Sequence, residues 1–323
     1  MRPFMSLAAS FLTARIHAAG VALLLVGMLL VPARALADTN SFYGDYEDDV
    51  PIVLPPYHGI EPKLALHYSS SNGNGPVGVG WALTGFSLIE RASPGGGTPK
   101  FTSSDIFLFE GQELVPCASG SLSPSCATGG NYSTKIENYA RIVYDGHSFT
   151  ITQNDGTKTT YAPVFTIPVA GVTQTWKWGV SSVKDPKGNT VTYSWSANAW
   201  STCCWEYPTG VSYNGTAATL NWEQRTDVES RATGVGFANY YGRIKSIDIK
   251  VSGARARAYK LTYTSSGSTA RSLLATVQQF GKDATLDSTG TVTGGTSTPA
   301  VTLTPTTITS SFTNDTEWAL SAD

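Results

Sequence analysis

The sequence predicts an all-β protein built mainly from antiparallel hairpins. Apolar and polar residues alternate in short segments along most of the chain, and this period of two is typical of strands with one buried face. The 323 residues include 32 glycines and 17 prolines, which favours frequent turns and few long helices. Pairs of Asn or Asp with Gly between the segments supply the positive φ angles that two-residue hairpin turns require.

The alternating segments follow one another through the chain, and turn signals separate them. The apolar positions of these segments are Leu64, Leu66 and Tyr68; Phe149 and Ile151; Val191, Tyr193 and Trp195; Ile247, Ile249 and Val251; and Leu261 and Tyr263. The turn signals are Asp145-Gly146, Asp155-Gly156, Lys187-Gly188-Asn189 and Asn214-Gly215. This spacing predicts a meander of consecutive hairpins from Tyr144 to Trp195, within curved sheets of shell-like or sandwich-like form.

The charge balance excludes one broad class of function. Charged residues make up 14% of the chain, against about 25% in an average domain. The net charge is −2, and it becomes −5 when Arg2, Arg15 and Arg34 of the first 37 residues are set aside. Nucleic-acid binders depend on clustered cations that meet phosphates, so we expect no nucleic-acid partner. Hydrophobic residues at 41% are enough for a packed core.

Residues 1–37 have the pattern of a signal peptide. Cationic residues precede the apolar segment Val21–Val31, and Ala35-Leu36-Ala37 forms a small-x-small cleavage site before Asp38. The apolar run is shorter than the ~20 residues that a membrane-spanning helix needs. The sequence therefore predicts a secreted protein that does not span a membrane. We expect a signal peptide at 1–37, a β domain at 38–312 and a C-terminal tail at 313–323.

Export to an oxidising compartment allows the four cysteines to pair. Cys117 and Cys126 flank a short Ser/Gly/Pro-rich loop that closes easily, so we predict a disulfide between them. Cys203 and Cys204 are adjacent, and a bond between neighbours is strained, so their role stays open, an inter-chain bond included.

Several ordered motifs extend over nearly the whole segment that follows the predicted signal peptide. The first combines a Pro-x-Leu-x-Leu-x-Tyr-x-Ser strand, a glycine-rich turn and an Ile-x-Arg strand: Pro62, Leu64, Leu66, Tyr68 and Ser70; Gly73, Asn74, Gly75, Gly78, Gly80, Trp81 and Leu83; Ile89 and Arg91. Further motifs lie at 105–115, 178–193, 243–263 and 271–274. Together they resemble the N-terminal domain of the SpvB family, which the B components of insecticidal Tc toxin complexes share. The hairpin at 178–193 also resembles RHS/YD repeats, and Ile244 replaces the leucine of one motif.

The resemblance implies an architectural role in a toxin. In SpvB-type toxins the ADP-ribosyltransferase activity belongs to a separate C-terminal domain with a Glu-x-Glu signature, and these 323 residues contain no such signature. In Tc B components the region contributes β-sheet to the hollow shell around a toxic payload. We therefore expect a non-enzymatic domain whose partners are other toxin-complex subunits, or downstream shell and propeller domains.

Other motifs give no support for catalysis, a cofactor or a metal. Gly73 to Gly78 fits Gly-x-Gly-x-x-Gly, but a dinucleotide site needs a helix that starts at the glycines, and none is predicted. The glycines are better explained by a turn in which backbones approach closely beneath a packed Trp81. The acidic residues of 45–49 lack calcium-loop spacing and favour a solvated arm. Paired-histidine zinc spacings and a nucleophile elbow are absent from the sequence.

The tryptophans suggest the main alternative to an architectural function. Six of them crowd the segment 176–222, and exposed aromatic side chains bind sugars in many secreted β proteins. Large aromatics in strands are more often buried, which favours a core role. Trp200 and Trp205, in a predicted loop, are the candidates for an exposed contact patch. A carbohydrate-binding or adhesion module is therefore the second hypothesis.

Overall fold

The computed structural model describes residues 38–40, 44–197, 200 and 206–304. The predicted signal peptide, Cys203, Cys204, Trp205 and the predicted tail at 313–323 lie outside these ranges. In the described part the protein is almost entirely β, so the predicted fold class is confirmed. A short helix, α1 (Pro124–Ala127), interrupts the strands.

Twenty-three strands follow one another in the described part. They are β1 (Asp38–Asn40), β2 (Asp45–Ile52), β3 (Leu64–Ser69), β4 (Asn74–Gly75), β5 (Gly78–Val79), β6 (Trp81–Leu83), β7 (Leu88–Ala92), β8 (Ile106–Phe109), β9 (Gln112–Pro116), β10 (Tyr132–Thr134), β11 (Arg141–Tyr144), β12 (Phe149–Thr152), β13 (Lys158–Val169), β14 (Val172–Lys184), β15 (Thr190–Ala197), β16 (Glu206–Tyr213), β17 (Thr216–Ala232), β18 (Phe237–Val251), β19 (Ala254–Ser265), β20 (Ser272–Phe280), β21 (Thr285–Leu286), β22 (Val292–Gly294) and β23 (Val301–Thr302).

Strands β7 to β14 form a closed ring. Each pairs with the next in sequence, β14 pairs with β13 on one side and with β7 on the other, and all these pairings are antiparallel. The closing ladder sets Trp178 of β14 opposite Ile89 of β7. Closure removes the free edges that an open sheet of eight strands would expose.

The sheet then leaves the ring and continues outward. β15 pairs with the far end of β14, and β16 to β20 follow in sequence order up to β23 at the outer end. A second sheet has the order β1-β2-β3-β6, and β4–β5 and β21–β22 are two-stranded. The meander predicted from Tyr144 to Trp195 is confirmed by the consecutive pairings of β11 to β15.

One apolar core joins the ring to the outer sheet. Every second residue of the ring strands points inward, as shown by the pairs Phe107–Leu114, Ile142–Ile151 and Phe149–Tyr161. Ile247 and Ile249 of β18 belong to the same cluster. The ring interior is therefore packed with side chains.

One segment differs from expectation. The acidic stretch at 45–49 was predicted as a solvated arm, but it lies in β2 and pairs along its length with β3. Backbone pairing with a buried strand outweighs the preference of carboxylates for full solvation, and the side chains stay at the surface. In the Thr/Ser/Gly-rich stretch after Asp283, Ala284 and Val292 pack in one apolar cluster with Phe280.

Candidate functional site

The glycine-rich motif folds as a tight ladder between two sheets. Asn74 pairs with Val79 and Gly75 with Gly78, so the chain reverses at Pro76-Val77. Gly78 and Gly80 have φ angles of 93° and 80°, a region that favours glycine. The residues that follow form β6 where a dinucleotide site would need a helix.

The glycines allow other groups to approach the backbone closely. A Cβ on Gly75 would lie 2.6 Å from the carbonyl oxygen of Trp81, and one on Gly78 would lie 2.7 Å from that of Ser272. Trp81 itself is only 6% exposed and contacts the ring of Tyr68, with centroids 5.2 Å apart. The motif therefore serves as a close-packed joint between β3, β6 and the start of β20.

A buried polar network fixes this joint to the outer sheet. The Arg225 side chain is fully buried, and its guanidinium donates to the Asp227 carboxylate at 2.7 Å and to the Gly75 carbonyl at 2.8 Å. It also donates to the side-chain oxygen of Asn74, whose amide nitrogen donates to Asp227 at 3.1 Å. The backbone N–H and the hydroxyl of Ser272 both donate to Asp227 at 2.6 Å.

These contacts decide the charge state of Asp227. Burial alone would raise the pKa of the carboxyl, but the hydrogen bonds from Arg225 and Ser272 and the arginine charge hold it well below its usual range. The carboxylate therefore stays ionised and paired. A buried ion pair whose hydrogen bonds are all formed adds little net stability. Removal of one partner, however, leaves a buried charge unpaired and lowers the free energy of unfolding by about 3–5 kcal/mol.

A second arginine extends the network across the sheet. Arg243 donates to Glu223 at 2.6 Å and to the Ser272 hydroxyl at 2.9 Å, and it lies 4.4 Å from the centroid of the Tyr263 ring. Tyr263 in turn donates to the carbonyl of Ile244. Strands β17 to β20 and the glycine ladder are thus connected by side chains whose donors and acceptors are matched.

The arginine of the Ile-x-Arg strand has a different environment. The Arg91 guanidinium lies 5.7 Å from the ring centroids of Phe101 and Phe107 and 6.0 Å from that of Trp178. Its Nε is buried with no hydrogen-bond partner. Arg91 therefore contributes mainly through its contacts with aromatic faces.

An apolar cavity of 190 Å³ lies between the ring and the outer sheet. Its aromatic walls are Phe86, Phe165, Trp195, Trp222 and Tyr240. Trp195 and Trp222 donate their indole N–H groups to the carbonyls of Val180 and Pro208, at 2.8 and 2.9 Å. Because these donors are already used, the indoles offer the cavity apolar surface and no polar contact for a sugar.

A buried lysine borders the same cavity. Burial lowers the pKa of Lys177, and the Glu90 carboxylate, 3.0 Å from its Nζ, opposes that shift. Arg231 and Glu229 at the cavity edge are paired at 3.0 Å. In the ranges that the structure describes, three or more potential metal ligands do not cluster anywhere.

The tryptophans are mostly part of the core. Trp178 is fully buried among Phe107, Tyr144 and Phe149, and Trp176 packs on Phe165. Trp200 is half-buried and meets the Tyr207 ring edge-on, with centroids 6.2 Å apart. Trp205 lies outside the described residues, so a contact patch at Trp200 and Trp205 stays a prediction.

The predicted disulfide partners lie next to each other. Cys117 and Cys126 are joined in the structure with Cα atoms 5.6 Å apart, so pairing needs no backbone movement. Glu137 accepts hydrogen bonds from Ser123 and Ser125 of this loop and from the Tyr139 amide. Burial raises the pKa of Glu137, but these bonds prevail and lower it to about 2.

The comparisons with known proteins agree with this arrangement. A family model described as "Salmonella virulence plasmid 65kDa B protein" (SpvB) matches residues 40–207, more than half of the chain. The chain belongs to the SpvB family. The resemblance inferred from the motifs is therefore confirmed, and the glycine ladder, β2 to β15 and the start of β16 lie within the matched region.

Curated relatives in the SpvB family match a small part of their own length. The mono(ADP-ribosyl)transferase SpvB of Salmonella typhimurium (strain 14028s / SGSC 2262) is 41% identical over 80 residues, which are 24% of this chain and 13% of that protein. The corresponding protein of Salmonella choleraesuis (strain SC-B67) is 40% identical over 80 residues, with the same shares. The chain thus spans 13% of the length of these relatives.

Solved structures share the fold at low identity. The N-terminal domain of effector protein SpvB from Salmonella typhimurium strain LT2 is 18% identical with a TM-score of 0.60, covering 76% of this chain and 99% of that one. The crystal structure of TcdB2-TccC3 is 17% identical with a TM-score of 0.63, covering 81% of this chain and 16% of that one. The structure of the Photorhabdus luminescens Tc holotoxin pore, with the mutation TccC3-D651A, is 17% identical with a TM-score of 0.64. It covers 81% of this chain and 16% of that one.

Proposed function

We propose that this chain is a non-catalytic structural domain of a secreted SpvB/Tc-type toxin protein. It contributes sheet to the shell that encloses or delivers a toxic payload. The observation that carries the proposal is the extent of the SpvB likeness: the chain aligns with 99% of the SpvB N-terminal domain structure, and that fold recurs as 16% of a TcdB2-TccC3 chain.

The chemistry of the described residues supports an architectural role. Buried charges such as Arg225 and Asp227 are paired and hydrogen-bonded, and the ring interior is filled by apolar side chains. A catalytic group instead needs a reactive atom that faces a substrate, with a base or a charge held ready. The described part also contains no helix with the length and hydropathy needed to cross a membrane.

The outer end of the large sheet is the place where a partner would join. β23 has two residues and pairs on one side with β20, and Val301 is 47% exposed. Exposed backbone at a sheet edge can pair with another strand. The partner that fits is a strand of a neighbouring toxin subunit, or of a shell or propeller domain.

An association measurement tests this proposal. The chain without residues 1–37 is expected to self-associate with rising concentration in sedimentation velocity, and Val301→Lys is expected to reduce that association. Val251→Lys is the matched control, because Val251 is 37% exposed in the β18–β19 hairpin, away from the outer edge. A chain that stays monomeric at every concentration would contradict an exposed pairing edge.

The carbohydrate-binding alternative has its own measurement. A saccharide titration that saturates and shifts tryptophan fluorescence on a monomer, and is lost in Trp200→Ala or Trp205→Ala, would replace the architectural proposal. The indole N–H groups of Trp195 and Trp222 already donate to carbonyls within the protein, so neither can donate a hydrogen bond to a saccharide at their cavity.

Secretion is part of the proposal and depends on residues 1–37. The small-x-small pattern at Ala35-Leu36-Ala37 places cleavage before Asp38. N-terminal sequencing of exported material should therefore begin at Asp38. Exported protein that retains Val21–Val31 would contradict this.

A further inference from the structure

A groove of 710 Å³ lies beside the glycine ladder, between the second sheet and the start of β20. Apolar and aromatic side chains dominate its lining: Tyr46, Tyr68, Trp81, Leu273, Leu274 and Leu303. Trp81 and Leu274 are buried core residues, whereas Tyr46 is 45% exposed at the edge. The groove therefore combines a rigid floor with an apolar wall that faces solvent.

The chain itself leads into this groove. Thr302, Leu303 and Thr304 form one of its walls, and the described part ends at Thr304. Nineteen residues, 305–323, follow in the sequence. Leu303 still donates its backbone N–H to the carbonyl of Ala275, so the direction of the chain at this point is set by β20.

The first residues of β20 are already in contact with the glycine ladder. The register sets Thr302 opposite Thr276 and Val301 opposite Val277, so residues 304–306 would face Leu274 to Ser272. The backbone of Gly78 already occupies that edge, since a Cβ there would lie 2.7 Å from the Ser272 oxygen. Residue 305 is proline, which has no N–H to donate and keeps Thr304 extended.

The next residues have the pattern that an apolar groove requires. In the segment 305–312 (PTTITSSF) the large apolar residues are Ile308 and Phe312, and the others are proline, threonine and serine. In an extended chain these two residues point to the same side. Four residues of extended chain reach about 13 Å, so Ile308 can enter a groove whose wall includes Thr304.

We propose that this groove binds residues 305–312 of the same chain in extended form, with the side chains of Ile308 and Phe312 against Tyr46, Tyr68 and Leu273. Thr309 and Ser311 then face solvent. The docked segment covers the apolar wall and fixes the direction in which the chain leaves the domain. This inference is independent of the payload and of the toxin-shell role.

Amide hydrogen exchange on the full chain tests the proposal, with two pairs of variants of equal charge. Ile308→Asp and Phe312→Asp place carboxylates on the docked side, near Asp48, whereas Thr309→Asp and Ser311→Asp place them on the solvent side. Loss of one buried Ile or Phe side chain corresponds to roughly a ten- to hundredfold shift towards the undocked state. We expect exchange at 306–312 to accelerate by about that factor in the first pair and to stay unchanged in the second.

Hydroxyl-radical labelling of Tyr46 gives a second readout from the groove itself. Labelling should rise in Ile308→Asp and Phe312→Asp and stay at the wild-type level in the two controls. Equal exchange in all five proteins, with unchanged Tyr46 labelling, would overturn the proposal. Protection at 306–312 that grows with protein concentration would also overturn it, because the occupant would then be a second copy.

Discussion

At the scale of single residues, the family motif is explained by packing. Gly75, Gly78 and Gly80 are required where another group approaches the backbone, and Asn74 is required because it bonds both Arg225 and Asp227. Trp81 covers the same joint from the side of the second sheet. These five motif positions thus have a structural reason that involves no ligand.

Trp81 is the residue at which this explanation is most easily tested. Truncation of a buried tryptophan costs about 3–5 kcal/mol, because the transfer free energy is lost and a cavity remains. We expect Trp81→Ala to lower the free energy of unfolding by that amount in urea denaturation, or to prevent folding. Phe237→Ala is the control, since Phe237 is 74% exposed and should change stability by less than about 0.5 kcal/mol. A Trp81→Ala variant as stable as wild type would assign Trp81 to a binding surface.

At the scale of elements, hairpins with local turn signals form the ring, and contacts between distant segments close it. Gly146 and Gly156, within the predicted turns, have φ angles of 95° and 83°. The β7–β14 ladder joins residues almost ninety positions apart, and no local signal encodes it. The glycine ladder is likewise held by partners from β17 and β20.

A comparison of two glycines with similar φ angles distinguishes the cost of backbone strain from the cost of close contact at the glycine ladder. Gly78 and Gly95 have φ angles of 93° and 88°, but only Gly78 has backbone atoms within 4 Å of a Cβ position. Alanine at either position is destabilised by the positive φ angle. At Gly78 its Cβ must also displace the backbone of Ser272. We expect Gly78→Ala to be clearly less stable than Gly95→Ala in thermal unfolding. Equal losses would mean that the ladder shifts away from β20 without cost.

The loop closed by Cys117 and Cys126 should respond to acid. The folded pKa of Glu137 is lowered to about 2, below its ordinary value of 4.5, so its hydrogen bonds stabilise the loop above pH 4.5. This contribution is lost as the pH falls from 4.5 towards 2. The Tyr139 amide signal should accordingly titrate near pH 2 in NMR spectra.

Glu137→Gln supplies the comparison for this loop. The stability difference between wild type and Glu137→Gln should shrink over the same pH interval, and Glu110→Gln, which removes an exposed carboxylate outside this loop, is the control variant. A Tyr139 midpoint at the ordinary glutamate value would show that the loop bonds are not formed in solution. Mass mapping of a non-reduced digest would separately report whether Cys117 and Cys126 are oxidised.

At the scale of the whole molecule, the sequence predicts the fold class and the hairpins, but it does not predict the buried polar network around Arg225 and Asp227. Alternating residues identify buried faces of strands, so Ile247, Ile249 and Tyr193 are found correctly in the core. Arg225 and Asp227 lie in a long, charge-rich strand, where nothing in the local pattern distinguishes a buried ion pair from a solvated one. Their burial follows from the irregularity between Gln224 and Glu229 and from the distant glycine ladder.

The shared core makes a prediction about unfolding. The described residues from Thr39 to Thr304 belong to one compact unit, and β14 belongs both to the ring and, through β15, to the outer sheet. The largest apolar core includes residues of both parts, so heating should give a single calorimetric transition. Ile142→Val in the ring and Ile249→Val in the outer sheet, both fully buried, should each cost about 0.5–1.5 kcal/mol and shift that same transition. Ile136→Val, at an exposed position, should leave it in place. Two separate transitions, with Ile142→Val lowering one and Ile249→Val the other, would show that the ring and the outer sheet fold independently.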